Sequence, residues 1–289
     1  MQQTVWAIDG SFFAQRISGI QRYSIELLAA LDAIVPAGLV EIVVPQGVKT
    51  PAYTNIKVVP FGTRKGLAWQ QLDYPCYLKR RSAKGLATCN VIPWFGFTGI
   101  AVVHDVCYRA RRDFYKDTRR DRLSAAWHCL QYRRIAQKAE RIITVSEFSK
   151  AEIHKYYGVP PEKMNVVYNA WQQMQRIAPD DGVFTRHPQL QKGGYYFSMA
   201  NLLKNKNFPW VLRAAKAKPD AMFAIAGGGS LAEEAGRLGL ADLPNVVYLG
   251  YVSDGEAKSL MANCRAFLFP TLYEGFGIPP LEAVACGAK

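Results

Sequence analysis

No uninterrupted apolar run in the 289 residues approaches the ~20 that a helix needs to cross a bilayer. The start, Met1 to Asp9, has neither the basic opening nor the apolar core of a secretory signal and passes straight into a strand-like VWAID. These absences predict a cytoplasmic protein. Cysteine is sparse: Cys76, Cys89, Cys107, Cys129, Cys264 and Cys286 are scattered without a CxxC pair. That spacing supports no structural zinc site and reads as reduced, buried thiols. Acidic residues are in the minority, 23 against 36 lysines and arginines, for a net charge of +13. An excess of that size predicts an anionic partner: nucleic acid, a negative membrane surface or a phosphorylated substrate. No RNA-recognition or helix-turn-helix pattern accompanies the charge, so nucleic acid is not expected. The run Gly227–Gly229 lacks GxGxxG spacing and does not indicate NAD.

What is present is enough apolar sequence, 49% of residues, to bury a sizeable core and rule out wholesale disorder. The length suggests two domains. Short β-branched runs read as strands at Val5–Asp9, Glu41–Pro45, Lys57–Pro60, Val91–Pro93, Ile100–His104, Arg141–Val145 and Asn165–Tyr168. Amphipathic helices lie between several of them. In the first, Ile20, Tyr23, Leu27, Leu31 and Ile34 share a face, and Ser18 with Gln21 resembles a capping box. Near-continuous apolar strands alternating with helices imply α/β architecture, with parallel sheets covered on both faces.

Residues 170–194 are polar, with Pro179, Pro188 and paired glycines, and read as an interdomain linker between a first domain, 1–169, and a second, 195–289. The alternation restarts with strands at Tyr195–Ala200, Met222–Ala226, Val246–Leu249 and Ala266–Phe269. Helices follow at Phe208–Ala217, Leu231–Leu238, Asp254–Ala262 and Pro279–Cys286. The second half ends at Lys289, where the next strand of a doubly wound sheet would begin, so it reads as incomplete.

The most informative stretch is Pro270–Gly287, PTLYEGFGIPPLEAVACG. It places glycines between a strand's carboxyl end and a helix opened by Pro279 and Pro280. Free amides and the helix dipole favour phosphate there. A carboxylate in that position would repel phosphate, so Glu282, expected in the first turn, suits hydroxyls such as those of a ribose.

This stretch resembles the retaining glycosyltransferases of family four (group 1), whose signature is two glutamates separated by seven residues in the form EGFGxxxxE. Here it runs Glu274-Gly275-Phe276-Gly277-Ile278-Pro279-Pro280-Leu281-Glu282. Other segments match in order: SGIQRY from Ser18, the pair His104-Asp105, TVSEFS from Thr144, and Val167-Tyr168-Asn169. In the second half they are Lys206-Asn207, the Gly227–Gly229 turn and LGYVS from Leu249. The resemblance covers nearly the whole chain. It implies a GT-B fold, two Rossmann-like domains facing a cleft, the second incomplete. It also implies donor-binding roles for Gly19, Lys206, Gly228, Val252, Gly275, Phe276, Gly277 and Glu282. Glu274 would face the donor sugar, and Arg22, Tyr23 and Ser146 are acceptor-side candidates. Two departures stand out: Ala170 replaces a glycine, and no arginine precedes Lys206 at Ala200–Leu203.

Single residues also have plainer readings. His104 could be a satisfied core histidine; followed by Asp105 at a strand's carboxyl end, it reads as a hydrogen-bonding partner of the sugar rather than a nucleophile. Ser146 could simply cap a helix, and Gly19 could simply permit a tight turn. His104, Asp105 and Glu274 are the catalytic candidates. No D-x-D triplet occurs, so no metal or cofactor is expected beyond the nucleoside-diphosphate sugar itself. The arginine-rich residues 109–141 suggest peripheral contact with an anionic membrane. The expected activity is retaining transfer of a hexosyl group, mannosyl among the candidates, to a saccharide or lipid-linked acceptor in surface polysaccharide synthesis. The alternative is a non-catalytic homologue that binds nucleotide or a partner only.

Overall fold

The structure is a computed structural model and describes residues 4–15 and 17–289; Met1 to Gln3, part of the stretch read above for a secretory signal, lie outside them. The chain divides into two compact units, residues 1–169 and 170–289.

Among the described residues the first unit holds seven strands: β1 (Trp6–Asp9), β2 (Val40–Val44), β3 (Lys57–Pro60), β4 (Lys84–Ala87), β5 (Gly99–Val103), β6 (Arg141–Thr144) and β7 (Met164–Val166). They pair in the order β3-β2-β1-β4-β5-β6-β7, all parallel. The order reverses between β1 and β4. Helix α1 (Gly19–Asp32) follows β1. The short α2 (Gly66–Ala68) runs through a π-helical turn, Trp69–Asp73, into α3 (Tyr74–Arg81). Beyond β5 come α4 (Cys107–Ala110), α5 (Arg119–Lys138) and α6 (Glu147–Tyr157). The capping box at Ser18 and Gln21 forms. The buried face of α1, however, is Gln21, Ser24 and Leu28, and Ile34 is exposed beyond the helix end.

Two features of this unit differ from expectation. Val91–Pro93 is loop, and the strand is Lys84–Ala87 just upstream. Gly85 sits in it because Phe97 lies where a side chain would go: a Cβ there would stand 2.5 Å from the Phe97 ring. A strand that must carry a glycine and begins with a lysine has almost no apolar signature. The helical run 66–81 also gives no clear period, since the π turn breaks it. It is nonetheless anchored by Trp69 and Tyr74, both fully buried.

The second unit opens with α7 (Gln173–Arg176) and α8 (Gly182–Arg186). The residues expected to form a linker belong to its core: Met174, Val183 and Leu190 pack with Tyr195 and Phe197. Then come β8 (Tyr195–Met199), α9 (Phe208–Ala217), β9 (Met222–Ala226), α10 (Leu231–Arg237), β10 (Val246–Gly250), α11 (Asp254–Asn263), β11 (Ala266–Phe267) and α12 (Ile278–Ala285). The parallel sheet runs β10-β9-β8-β11, reversing direction between β8 and β11. Ligands of open α/β sheets bind outside the carboxyl ends of strands at such a reversal. All six cysteines are free thiols. Among the described residues no helix is long and apolar enough to cross a membrane.

Candidate functional site

In the second unit the reversal point is built by two loops, one after β8 and one after β11. Three residues of the first loop stitch them together. The Asn205 backbone carbonyl accepts from Leu272 N at 2.7 Å, and its side-chain Nδ2 donates to Tyr273 O at 3.3 Å. Asn207 Nδ2 donates to Pro270 O at 3.0 Å. Asn207 adopts φ 52°, a left-handed turn into α9 that asparagine tolerates. Lys206, held between them, points its ammonium at Glu274: Nζ donates to Oε1 at 2.8 Å. The same oxygen accepts from Asn205 Nδ2 at 3.3 Å. Lys206 Nζ also lies 5.6 Å from the centre of the Phe269 ring. Both partners of the ion pair are about one-fifth exposed (21% and 23%), so solvent and a ligand can reach them.

Downstream of Glu274, Gly275 and Phe276 lead to Gly277, which has φ 93° and caps α12. Only glycine takes that backbone without strain. Pro279 and Pro280 follow in the first turn, and Glu282 is the fifth helical residue, one residue deeper than expected because the helix already begins at Ile278. Its Oε1 accepts from Gln173 Nε2 at 2.8 Å. Gln173 is buried on α7. Sequence reading passed over it because its partner lies 109 residues away.

The glycine turn after β9 divides its work. A Cβ on Gly227, at φ 149°, would come within 1.6 Å of the Ala200 carbonyl oxygen. A Cβ on Gly228 would meet nothing within 4 Å. The fold therefore needs the first glycine and leaves space at the second. Val252 is buried in the same unit's core, and its neighbour Ser253 caps α11.

In the first unit, His104 follows β5 and is buried. Its amide donates to Asn90 Oδ1 at 2.8 Å, and its carbonyl accepts from Ser149 Oγ at 2.9 Å. Ring Nε2 lies 2.8 Å from the Thr88 carbonyl, which can only accept, so Nε2 carries the proton. Burial drives its pKa down to about 4. The ring is thus a neutral tautomer with the lone pair on Nδ1. It can accept a hydrogen bond from a hydroxyl and is a weak base at neutral pH. The Tyr23 ring meets it edge-on, with centroids 4.7 Å apart. Burial also pushes the Tyr23 phenol up to about 12.

Asp105 Oδ1 accepts from Cys107 N at 2.8 Å, which secures the turn into α4. Ser146 caps α6, its hydroxyl accepting from Ser149 N at 3.0 Å. Gly19 is the first residue of α1, its φ is not positive, and a Cβ there would meet nothing within 4 Å. The fold does not demand the tight turn that was one reading of this glycine. Arg22 lies one turn further along the same helix, partly buried.

Comparison with known proteins gives two matching family profiles. Glycosyltransferase family 4 matches residues 17–171, and glycosyl transferases group 1 match residues 184–288. The O-antigen chain mannosyltransferase B of Escherichia coli is 28% identical over 172 residues, 52% of this chain and 42% of that protein. The O-antigen chain mannosyltransferase RfbU of Salmonella typhimurium is 30% identical over 155 residues, 52% and 40% of the two chains. The matches thus span about two-fifths of these curated relatives' length. Among solved structures, the sucrose-phosphate synthase of Thermosynechococcus elongatus superposes with a TM-score of 0.73 at 14% identity, covering 99% of this chain and 80% of that one. Anabaena HepE, solved with UDP-glucose, gives 0.65 at 16% identity, covering 99% and 79%. At these identities the likeness concerns the fold, which is GT-B with Rossmann-like units. One profile spans more than half of the sequence and the other nearly all of the second unit, and the chain belongs to the family 4, group 1 glycosyltransferases.

Proposed function

We propose that this chain transfers a hexosyl group from a nucleoside-diphosphate sugar to a saccharide or lipid-linked acceptor in the assembly of a surface polysaccharide, with retention at the anomeric carbon. The observation that carries this reading is the Lys206–Glu274 pair at the strand-order reversal of the second unit. A cation and a carboxylate side by side, between the loop that opens α9 and the loop that leads into α12, match the two halves of such a donor. The diphosphate takes the ammonium of Lys206 and meets the amino end of α12, the helix that Gly277 caps. Glu274, released from Lys206, accepts from sugar hydroxyls, and Glu282, oriented by Gln173, accepts from the ribose.

As the glycosidic bond breaks, negative charge grows on the leaving diphosphate. Lys206 and the helix amides stabilise it electrostatically, and no divalent metal is required. His104 acts through Nδ1 as an acceptor for a sugar hydroxyl; with a pKa near 4 it is not the base that activates the acceptor. The attacking hydroxyl approaches the face that the diphosphate leaves. Mannosyl is the favoured hexosyl group, because relatives such as those from Escherichia coli and Salmonella are named mannosyltransferases. The reaction takes place at the cytoplasmic face of a membrane, which residues 109–141 touch peripherally.

Thermal-shift binding of UDP, GDP and ADP, followed by turnover with the matching sugar donor, tests the reading. A nucleotide at 100 times its Kd stabilises by about 2.7 kcal/mol. No shift with any of the three, in a folded sample, rejects donor binding. A shift without transfer to any acceptor supports the non-catalytic alternative instead.

A further inference from the structure

The segment just after β4 grips His104 at two points. The Thr88 carbonyl takes ring Nε2 at 2.8 Å, and Asn90 Oδ1 accepts from the His104 amide at 2.8 Å. Thr88 is itself tied to α1, where Ser24 Oγ donates to Thr88 Oγ1 at 2.7 Å. β4 and β5 are neighbours in the sheet, and strand order reverses between β4 and β1. The carboxyl ends at such a reversal are where open α/β sheets bind ligands. Asn90 adopts φ 61° and is one of three described non-glycine residues at positive φ. Asparagine bears that turn better than most side chains, though glycine would bear it without strain. In return the side chain supplies Oδ1 to His104.

A second observation concerns the other arm of that amide. A backbone N–H only donates, so the atom facing it is the carbonyl oxygen, and Nδ2 is left over. Asn90 is only 6% exposed, yet its Nδ2 donates to no described residue. The bond to His104 accounts for the oxygen, and nothing in the fold accounts for the nitrogen. A buried amide donor without a partner is a cost that a ligand's oxygen removes. His104 Nδ1 is likewise without a partner among the described residues. In the neutral tautomer Nδ1 only accepts, and Asn90 Nδ2 only donates. A hydroxyl complements both at once, giving its hydrogen to Nδ1 and a lone pair to Nδ2. A deoxy carbon does neither, and an O-methyl oxygen can only accept.

We propose that Asn90 Nδ2 and His104 Nδ1 bind one and the same hydroxyl of the hexosyl group, which makes Asn90 a sugar-binding residue that selects a free hydroxyl at that position. The proposal rests on the reading of His104 as an acceptor for a sugar hydroxyl, and it adds the second residue and the requirement that the hydroxyl be unsubstituted.

The test compares the full chain as wild type, Asn90→Asp, Asn90→Gly, His104→Gln and the double variant Asn90→Asp/His104→Gln. Asn90→Asp keeps an oxygen for the His104 amide and loses the donor; Asn90→Gly suits φ 61° and loses both. Three quantities are read: affinity for GDP, slow transfer from GDP-mannose to water, and the response of 15N-labelled histidine to methyl α-mannoside. The His104 signal is identified as the one missing from His104→Gln. GDP affinity should be unchanged throughout, since the nucleotide lies on the second unit. Transfer to water should fall roughly tenfold in both Asn90 variants, about the worth of one hydrogen bond. The double variant should be no slower than the slower single variant, because the two residues share one hydroxyl. Methyl α-mannoside should move the His104 Nδ1 resonance in wild type and bind Asn90→Asp roughly tenfold more weakly. Wild-type transfer by Asn90→Asp, with loss only in Asn90→Gly, would overturn the proposal and leave Asn90 as a support for His104. Losses that multiply in the double variant would overturn the shared hydroxyl. GDP binding with no response of His104 to the mannoside rejects the proposal and leaves the donor reading standing. An Asn90-dependent response of His104 without binding of GDP or UDP rejects the donor reading and leaves the sugar contact standing.

Discussion

Lys206 Nζ stands 2.8 Å from Glu274 Oε1, two residues 68 positions apart that meet because β8 and β11 lie side by side. An ammonium already paired to a carboxylate is poised but not free. A donor diphosphate must take the place of Glu274, and the released carboxylate is then beside the sugar. The two residues should therefore separate in mutagenesis. Lys206→Ala should weaken UDP, or whichever diphosphate binds, by roughly 10- to 100-fold, the range for losing a hydrogen bond to a charged group. Glu274→Gln should bind the free diphosphate as well as wild type or better, while turnover falls. Calorimetric titration of both variants checks this. Weaker diphosphate binding by Glu274→Gln would mean that the carboxylate holds Lys206 in place rather than competing for it.

Glu282 is linked to Gln173 instead, at 2.8 Å, and a role at the ribose makes a different demand. Glu282→Ala should cost roughly tenfold in affinity for a ribonucleoside diphosphate, about the worth of one charged hydrogen bond. It should cost almost nothing with the 2′,3′-dideoxy analogue, which has no hydroxyls to lose. Gln173→Leu should show the same pattern more weakly, because it only orients the carboxylate. An equal loss with both nucleotides would assign Glu282 to the stability of α12 rather than to the sugar.

These pairs also mark how far the sequence was legible. Glu274 and Glu282 stood in a dense local motif, and strands such as Lys57–Pro60 and Met222–Ala226 matched to the residue, since period and turn signals are local properties. β4 did not announce itself: two of its four residues are Lys84 and Gly85, and the glycine is there for Phe97. Residues 170–194 looked like a linker because Met174, Val183 and Leu190 are diluted among polar neighbours. Burial through three isolated anchors leaves no period to read. Partners such as Gln173 for Glu282, or Thr88 for His104, are choices of tertiary packing and have no signature in either segment.

The two glycines of one turn supply a contrast within a few atoms. Gly227→Ala would drive a Cβ into the Ala200 carbonyl at a backbone angle that L-residues rarely adopt, and should destabilise the second unit by more than about 3 kcal/mol or prevent its folding. Gly228→Ala, with open space around it, should melt like wild type yet bind donor less well. Gly19→Ala should behave like Gly228→Ala, with stability unchanged or slightly raised at the start of α1. Melting curves with and without nucleotide read both properties. Unimpaired nucleotide binding by both tolerated variants would remove these glycines from the donor site.

His104 makes the stability of the first unit depend on pH, with a sign fixed by its burial. Its pKa falls from the usual 6.5 to about 4 in the folded chain, because the interior disfavours the charged ring. Between those values the unfolded chain binds a proton that the folded chain refuses. Stability is therefore fully present above about pH 6.5 and declines as pH falls toward 4. Between pH 7 and pH 5 the loss amounts to about 2 kcal/mol. His104→Gln keeps a donor for the Thr88 carbonyl and has nothing to titrate, so its stability should change less over the same interval by that amount. His128, whose pKa burial also lowers, contributes equally to both proteins and cancels in the difference. Urea unfolding of wild type and His104→Gln at pH 7 and pH 5 gives the comparison. Parallel behaviour of the two would show that the ring takes up its proton inside the fold. That would undo the assignment of His104 as a neutral acceptor and return it to the list of possible acid–base groups.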